Sequence, residues 1–241
     1  MKRLMLVCAL VAASAAMRTV AAENSVETSS TPHHWTMERF WEKEREIASL
    51  KGRTVDLVMV GDSITHFWES KNPEGWKAFT AGMTALNLGY GGDRTQNVIW
   101  RIGHGELDGY TAKVVTVMIG TNNNSADAID PANTAEGVKK IVAMVREKQP
   151  QAKIVLHAIF PRGRSAESKN APKRTRNDVT NAILKEWAEK DGGLVWLDLT
   201  DKLTDATGWV PADVMRDELH PTAKGYEIWA AALKPFLTEA K

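Results

Sequence analysis

Four short segments carry the groups needed for acyl transfer: Gly61-Asp62-Ser63, Gly91-Gly92-Asp93, Gly120-Thr121-Asn122-Asn123 and Asp217-Glu218-Leu219-His220. A serine hydroxyl is a weak nucleophile until a base takes its proton, and an imidazole oriented by a carboxylate is such a base. Asp217 and His220 stand three apart, so on one helical turn their side chains are neighbours. One imidazole nitrogen then faces the carboxylate and the other is left for Ser63. A glycine N–H in the segment 89–92 and the side-chain amide of Asn122 are donors suited to an oxyanion, the charge that develops when a serine attacks an ester.

Each segment also has an ordinary reading. A serine after a strand often caps a helix. Glycine and asparagine are common turn residues, and surface Asp–His pairs are frequent. The glycines do not form a dinucleotide fingerprint, because counting from Gly89 the third glycine falls on Arg94. Chelation has little support. His66, His104 and His157 are isolated, His33-His34 lacks acidic neighbours at ligand spacing, and no resident metal or other cofactor is implied. His66 lies close to Ser63 in sequence, but in a helix it points away from a serine at the turn.

Placement favours the chemical reading. Five apolar runs of strand length occur at 55–60, 85–88, 114–119, 154–159 and 194–199. Several are continuous rather than alternating, as in strands covered on both faces. Helical patterns separate them at about 95–102, 133–147, 172–190 and 222–238, with shorter pieces within 64–80. Strand–helix alternation predicts an α/β domain, a three-layer α/β/α sandwich on a five-stranded parallel sheet. Ligands of such sheets bind beyond the carboxyl ends of the strands. Ser63 follows the first run, Gly91-Gly92 the second and Asn122 the third, and the Asp217–His220 loop follows the fifth. All four therefore open at one end of the sheet.

The chain has 241 residues with 43% hydrophobic and 25% charged content and a formal charge of +1, which suits one globular domain and gives no basic stripe for nucleic acid. Lys2-Arg3 precedes an apolar run at 4–16, and Val20-Ala21-Ala22 offers small residues for cleavage, so residues 1–22 read as a secretory signal peptide. That run is shorter than the roughly 20 residues of a membrane span. The expectation is a secreted or periplasmic protein without stable membrane insertion after cleavage. Its only cysteine, Cys8, would leave with the signal. Residues 23–34 read as a polar linker and 35–241 as one domain, opening with a helix over 35–50 whose apolar residues are Met37, Phe40, Trp41, Ile47 and Leu50.

Together the four segments resemble the blocks of the SGNH, or GDSL-type, hydrolases, over about 55–237. The closer resemblance is to the catalytic subunits of platelet-activating-factor acetylhydrolase and their bacterial relatives. It is carried by Asn87-Leu88-Gly89-Tyr90-Gly91-Gly92-Asp93-Arg94-Thr95-Gln96, by Trp100-Arg101 with Gly105-Glu106-Leu107, by Gly120-Thr121-Asn122-Asn123 and by Pro161-Arg162-Gly163. The resemblance implies a flavodoxin-like fold. It implies Ser63 as nucleophile, His220 as base and Asp217 as its orienter, with an oxyanion hole formed by the Gly92 N–H, Asn122 Nδ2 and the Ser63 N–H. It also places Ile64 and Leu219 at the border of an acyl pocket. The loop 123–133 is longer than that subgroup usually has.

The sequence reading is thus a secreted serine esterase that removes short acyl groups, foremost O-acetyl from carbohydrate, with a small-molecule or polysaccharide ester as its partner. Three rivals are a lysophospholipase or thioesterase on the same triad, a non-catalytic carbohydrate-binding protein of hydrolase shape, and an interaction protein using helix 35–50. Of the nine tryptophans, Trp209 is the candidate substrate contact, because its loop precedes Asp217.

Overall fold

The computed structural model describes residues 33–126 and 130–238. The expected signal peptide lies outside them, and so does the expected linker except for His33 and His34.

Five strands form one sheet in the order β2-β1-β3-β4-β5, with every neighbouring pair parallel. They are β1 (Thr54–Gly61), β2 (Ala85–Gly89), β3 (Thr111–Met118), β4 (Lys153–His157) and β5 (Leu194–Leu197). This is the flavodoxin-like order, in which the direction of winding reverses between β1 and β3. Side chains alternate between faces with period two. Along β1, Val58 and Val60 join one apolar cluster and Leu57 and Met59 the other; Val55, at the strand's start, departs from the alternation and belongs to the first.

The first cluster is closed by α1 (Met37–Ser49), α4 (Thr95–Gly103), α5 (Pro131–Lys148) and α6 (Ala171–Asp191). The second is closed by α2 (Ser63–Lys71), α3 (Pro73–Phe79), α7 (Thr200–Leu203) and α8 (Ala223–Thr238). A five-stranded parallel sheet therefore sits between two helical layers, as the alternation of runs predicts.

Three local features differ from the sequence pattern. The β4 run extends to residue 159, but the ladder stops at His157. Beyond it the Ile159 N–H donates to Asn181 Oδ1 at 2.7 Å, and Asn181 Nδ2 donates to the Ile159 carbonyl at 2.9 Å. A side-chain amide there replaces a strand partner. Likewise β5 ends at Leu197, and the short helix α7 follows it without a sequence signal that separates it from a loop. Third, α1 does not bury the face its apolar residues suggest. Arg39 and Lys43 point inward beside Ile47, while Trp41 is 55% exposed. Glu69 of α2 sits on this face and pairs with both cations, at 2.9 Å and 3.0 Å.

The junction of β1 and α2 is close-packed. A Cβ at Gly61 would lie 2.1 Å from Thr65 Oγ1 and 2.8 Å from the Met118 carbonyl oxygen. Asp62 then caps α2, its Oδ1 accepting from the Ile64 N–H at 2.9 Å. Its other oxygen is buried with no hydrogen-bond partner among the described residues. Burial pushes the Asp62 carboxyl up to about 7, against the pull of the Ile64 N–H and of Arg162.

Two stability predictions follow from this packing. At Gly89 a Cβ would lie 2.4 Å from the His66 nitrogen and 2.6 Å from Thr65 Cβ. Gly89→Ala should lower the urea-unfolding free energy by at least the ~1–3 kcal/mol typical of overpacking; an unchanged midpoint would contradict this packing. For Asp62 the folded value, about 7, lies above the reference value of 3.8. The proton it holds in the folded state therefore stabilises fully below about 4, and that contribution is lost as pH rises through about 7. Asp62→Asn should remove this loss, so parent and variant should diverge progressively between pH 4 and 7 in urea titrations. A stability difference that stays constant across that range counts against a protonated Asp62.

Candidate active site

Ser63 is the first residue of α2, immediately beyond β1, and is 7% exposed. Its N–H is among the first-turn donors that have no intrahelical partner. Ser63 Oγ lies 2.9 Å from His220 Nε2. His220 Nδ1 lies 2.6 Å from Asp217 Oδ2. A neutral ring protonated on Nδ1 donates to Asp217 and leaves Nε2 to accept the serine proton. Burial pushes the Asp217 carboxyl up, but the His220 N–H, the imidazole hydrogen bond and the nearby imidazole charge overcome it and hold the carboxyl below its ordinary value. The arrangement can transfer a proton from a hydroxyl to an imidazole that a carboxylate stabilises.

The Asp217–His220 segment is not the helical turn its spacing suggests. Asp217 Oδ1 accepts from the Leu219 N–H at 3.2 Å and the His220 N–H at 2.7 Å, folding the backbone around the carboxylate. Glu218 takes φ = 66°, a left-handed conformation that costs energy for a residue with a side chain. Several contacts hold it there. Its carbonyl accepts from the Gly163 N–H at 3.0 Å, and its carboxylate accepts from Ser168 Oγ and, at 3.0 Å, from Asn170 Nδ2. A bridge between Met215 and Pro221 closes the base of the loop.

On the other side of Ser63, the loop 90–94 leaves β2. Gly92 has φ = 82°, open to glycine and strained for other residues. Asn122 lies beyond β3, and its Nδ2 donates to the Asp93 carbonyl at 2.8 Å, which leaves a second amide hydrogen. The next two asparagines are structural. Asn123 bonds the Thr95 N–H and the Gln96 side chain, and Asn124 bonds Asn177, Thr180 and Thr134. Beneath the loop, Arg101 pairs with Asp93 and, at 2.7 Å, with Glu106, and its guanidinium lies 3.9 Å from the Tyr90 ring centroid. Burial pushes Asp93 up to about 6 against the pull of Arg101. Arg39 anchors the end of β2 by donating to the Gly89 and Asn87 carbonyls at 2.7 Å and 3.0 Å.

The residues expected around the acyl group separate. Ile64 does not border an open pocket. It is fully buried among Leu57, Met59 and Trp68, because the helix turns it into the core beneath Ser63. Leu219 is half-buried and packs against the same cluster. Trp209 is half-buried, with Arg174 5.0 Å above its ring. It would lie 3.2 Å from a Cβ on Gly163, whose N–H holds the Glu218 carbonyl. A hollow of about 590 Å³ opens beside it, lined by Arg174, Thr175, Asp178 and Thr207 among others. Trp209 thus stands one backbone contact away from the His220 loop.

Sequence reasoning gave no role to two neighbours of the site. Phe67, one turn along α2 from Ser63, has its ring 4.9 Å from that of His220. Arg162 is buried and donates to Thr121, Ser125 and Asn170. Burial pulls its guanidinium down while the charges of Asp62, Asp217 and Glu218 act the other way. Helical spacing from Ser63 signals the first of these; the second has no signal beyond its Pro161-Arg162-Gly163 context. The imidazole of His66 lies near the Gly91 backbone rather than on Ser63, and burial lowers it to about 4. Among the described residues no group of His, Cys, Asp and Glu is placed to hold a metal ion, and no helix is long and apolar enough to cross a membrane.

Comparison with known proteins agrees with this geometry. Residues 59–228 match the GDSL-like lipase/acylhydrolase family. The chain is 34% identical over 182 residues to platelet-activating factor acetylhydrolase IB subunit alpha2 of Rattus norvegicus, covering 76% of either sequence. A GDSL-like lipase of Bacteroides thetaiotaomicron superimposes with a TM-score of 0.68 at 17% identity, over 84% of this chain and 98% of that one. A carbohydrate esterase family 3 protein of Talaromyces cellulolyticus superimposes with a TM-score of 0.52 at 17% identity, over 76% of this chain and 96% of that one. The last two share the fold. With a family match over most of the described chain and a relative above 30% identity, this protein belongs to the GDSL-like lipase/acylhydrolase family and is an ester hydrolase of that kind.

Proposed function

We propose that this acylhydrolase removes short acyl groups, foremost acetyl from carbohydrate hydroxyls, through an acyl-enzyme on Ser63. The observation that carries the proposal is the chain of contacts from Ser63 Oγ to His220 Nε2 at 2.9 Å and from His220 Nδ1 to Asp217 Oδ2 at 2.6 Å. Ser63 Oγ attacks the ester carbonyl carbon while its proton passes to His220 Nε2. The tetrahedral oxyanion is received by the N–H groups of Gly92 and Ser63 and by the free hydrogen of Asn122 Nδ2. The C–O bond to the sugar then breaks, and His220 returns its proton to the departing oxygen. Water, deprotonated by His220, attacks the acyl-serine, and the carboxylic acid and free Ser63 result.

Three observations support a short acyl group on a sugar. The Rattus relative is named for removing acetyl. Ile64 is sealed in the core beside the nucleophile, so a longer chain meets packed side chains there rather than a groove. The hollow beside Trp209 combines an aromatic face with Arg174 and Asp178, groups suited to a hydroxyl-rich leaving group. An apolar hollow of about 760 Å³ between α3 and α8 includes neither Ser63 nor His220 in its lining. The charged start and apolar run at residues 2–16 support export, as a secreted or periplasmic enzyme. A lipid ester on the same triad is the second reading, favoured by the lipid named in the relatives. A silent binding protein is disfavoured, since nucleophile, base and orienter are within hydrogen-bond reach.

Ser63→Ala should abolish hydrolysis of p-nitrophenyl acetate and leave the urea midpoint close to the parent's; retained turnover would remove Ser63 from the mechanism. Asn122→Ala should cut kcat by roughly 10²-fold with little change in KM. A change in KM alone would make Asn122 a substrate-binding residue instead.

Acyl length separates the two substrate readings. A buried methylene gains about 0.8 kcal/mol, whereas forcing it into packed side chains costs about 1–3 kcal/mol. Acetate esters should therefore exceed butyrate esters about tenfold in kcat/KM, with octanoate esters nearly inert, and acetylated oligosaccharides should be deacetylated. Faster hydrolysis of octanoate esters or lysophospholipid would decide for the lipid reading.

A further inference from the structure

The chain enters the described domain across the loop that follows β2. His33 and Trp35 stack face to face, with centroids 4.3 Å apart and planes 8° from parallel. Trp35 Nε1 donates to the Gly91 carbonyl at 3.2 Å, and His33 Nε2 lies 3.3 Å from the Gly92 carbonyl oxygen. The indole is close against the loop, since a Cβ on Gly92 would lie 3.5 Å from Trp35 Cζ2. Two consecutive carbonyls of this loop thus meet side chains of the entering segment.

The Gly91 carbonyl and the Gly92 N–H belong to one peptide unit. In a trans peptide they point in opposite directions, and the described chain holds no other kind. Fixing the carbonyl on the indole therefore turns the N–H away from it. That N–H makes no hydrogen bond to backbone among the described residues. Glycine on both sides of the bond lets such a peptide reorient easily, so an external contact is needed to hold it. A donor on the carbonyl also polarises the unit, which strengthens its N–H as a donor.

We propose that Trp35 is a positioning residue for the oxyanion hole: its indole N–H, on the Gly91 carbonyl, orients and polarises the peptide whose N–H at Gly92 receives the oxyanion. This rests on the assignment of Gly92 as an oxyanion donor made above. Trp35 itself does not touch the reacting atoms. Its ring is 62% exposed, so the contact serves the loop more than the core. His33 supports it from the adjoining carbonyl. Burial, together with the charges of Arg94 and Arg101, lowers the His33 imidazole and favours the neutral ring, which donates from Nε2 when its proton is there.

The test is Trp35→Phe, which keeps an aromatic ring but removes the indole N–H together with part of the bicyclic ring, assayed on p-nitrophenyl acetate beside Asn122→Ala. Acylation and deacylation both pass through an oxyanion, so kcat reports the hole whichever step limits. Loss of one neutral hydrogen bond should lower kcat about threefold to tenfold, with KM within about twofold and the urea midpoint unchanged. A raised KM at unaltered kcat would make Trp35 a wall of the substrate site and overturn the proposal. So would a fall in turnover fully accounted for by a lowered urea midpoint. Normal kcat in Trp35→Phe beside a large loss in Asn122→Ala would sink the role of Trp35 alone. Normal kcat in both would remove the oxyanion assignment itself, and this inference with it.

Discussion

Ser63 and His220 are separated by 157 positions, yet their side chains meet at 2.9 Å. No local structure can make that contact. It depends on the parallel sheet, in which every strand delivers its carboxyl end to the same edge. Ser63 arrives from β1, an interior strand next to the β2 edge, and the His220 loop arrives after β5 at the opposite edge, on the chain's way into α8. The order β2-β1-β3 also sets the loops carrying Gly92 and Asn122 on either side of the nucleophile, where the direction of chain winding reverses. The contact between Asn122 and the Asp93 carbonyl ties those two loops together across the position of Ser63.

Donors that stabilise a transition state must already be in place, because reorganising them costs part of what they contribute. In this protein buried charges hold the loop that carries Gly92, one of the proposed donors. Arg101 lies between Asp93, Glu106 and the ring of Tyr90, and Arg39 fastens the end of β2 while pairing with Glu69. Such pairs gain little net stability over apolar packing, but removing one partner strands a charge and is strongly destabilising. They therefore discriminate sharply between the native loop geometry and its alternatives. Glu218 works in the same sense on the other side. Its strained backbone is held by Gly163, Ser168 and Asn170 rather than by any intrinsic preference.

What could be read from the sequence follows from the same physics. Strands covered on both faces are long apolar runs, so β1 to β5 stood out, with ends within a few residues. The segments with Ser63, Gly92 and Asn122 were legible because each follows such a run closely, whereas the Asp217–His220 segment lies farther on, beyond α7. What was not legible involves long-range partners. The apolar spacing of α1 pointed Phe40 and Trp41 inward, because nothing local reveals that Glu69 would draw Arg39 and Lys43 to the buried face. The three-residue step from Asp217 to His220 suggested a helix, whereas a carboxylate capping two N–H groups makes an equally short path. The resemblance implied Ile64 at the border of an acyl pocket, but the pitch of α2 turns it into the core.

Under the proposed mechanism, substrate choice falls to the half-buried rim, since nucleophile, base and donors are indifferent to what they deacylate. On the base side stand Phe67 against His220 and, beyond Gly163, Trp209 with Arg174. On the oxyanion side stand His33 and Trp35. Beside Ser63, Ile64 is fully buried and Leu219 partly so. On the proposed reading, a long acyl chain meets packed side chains there rather than a groove. A leaving group that is broad, hydroxylated and partly solvated has aromatic faces and charged donors on the rim to meet. The proposed preference for a small acyl group on a large alcohol rests on this contrast between packed side chains beside the nucleophile and the aromatic faces around it.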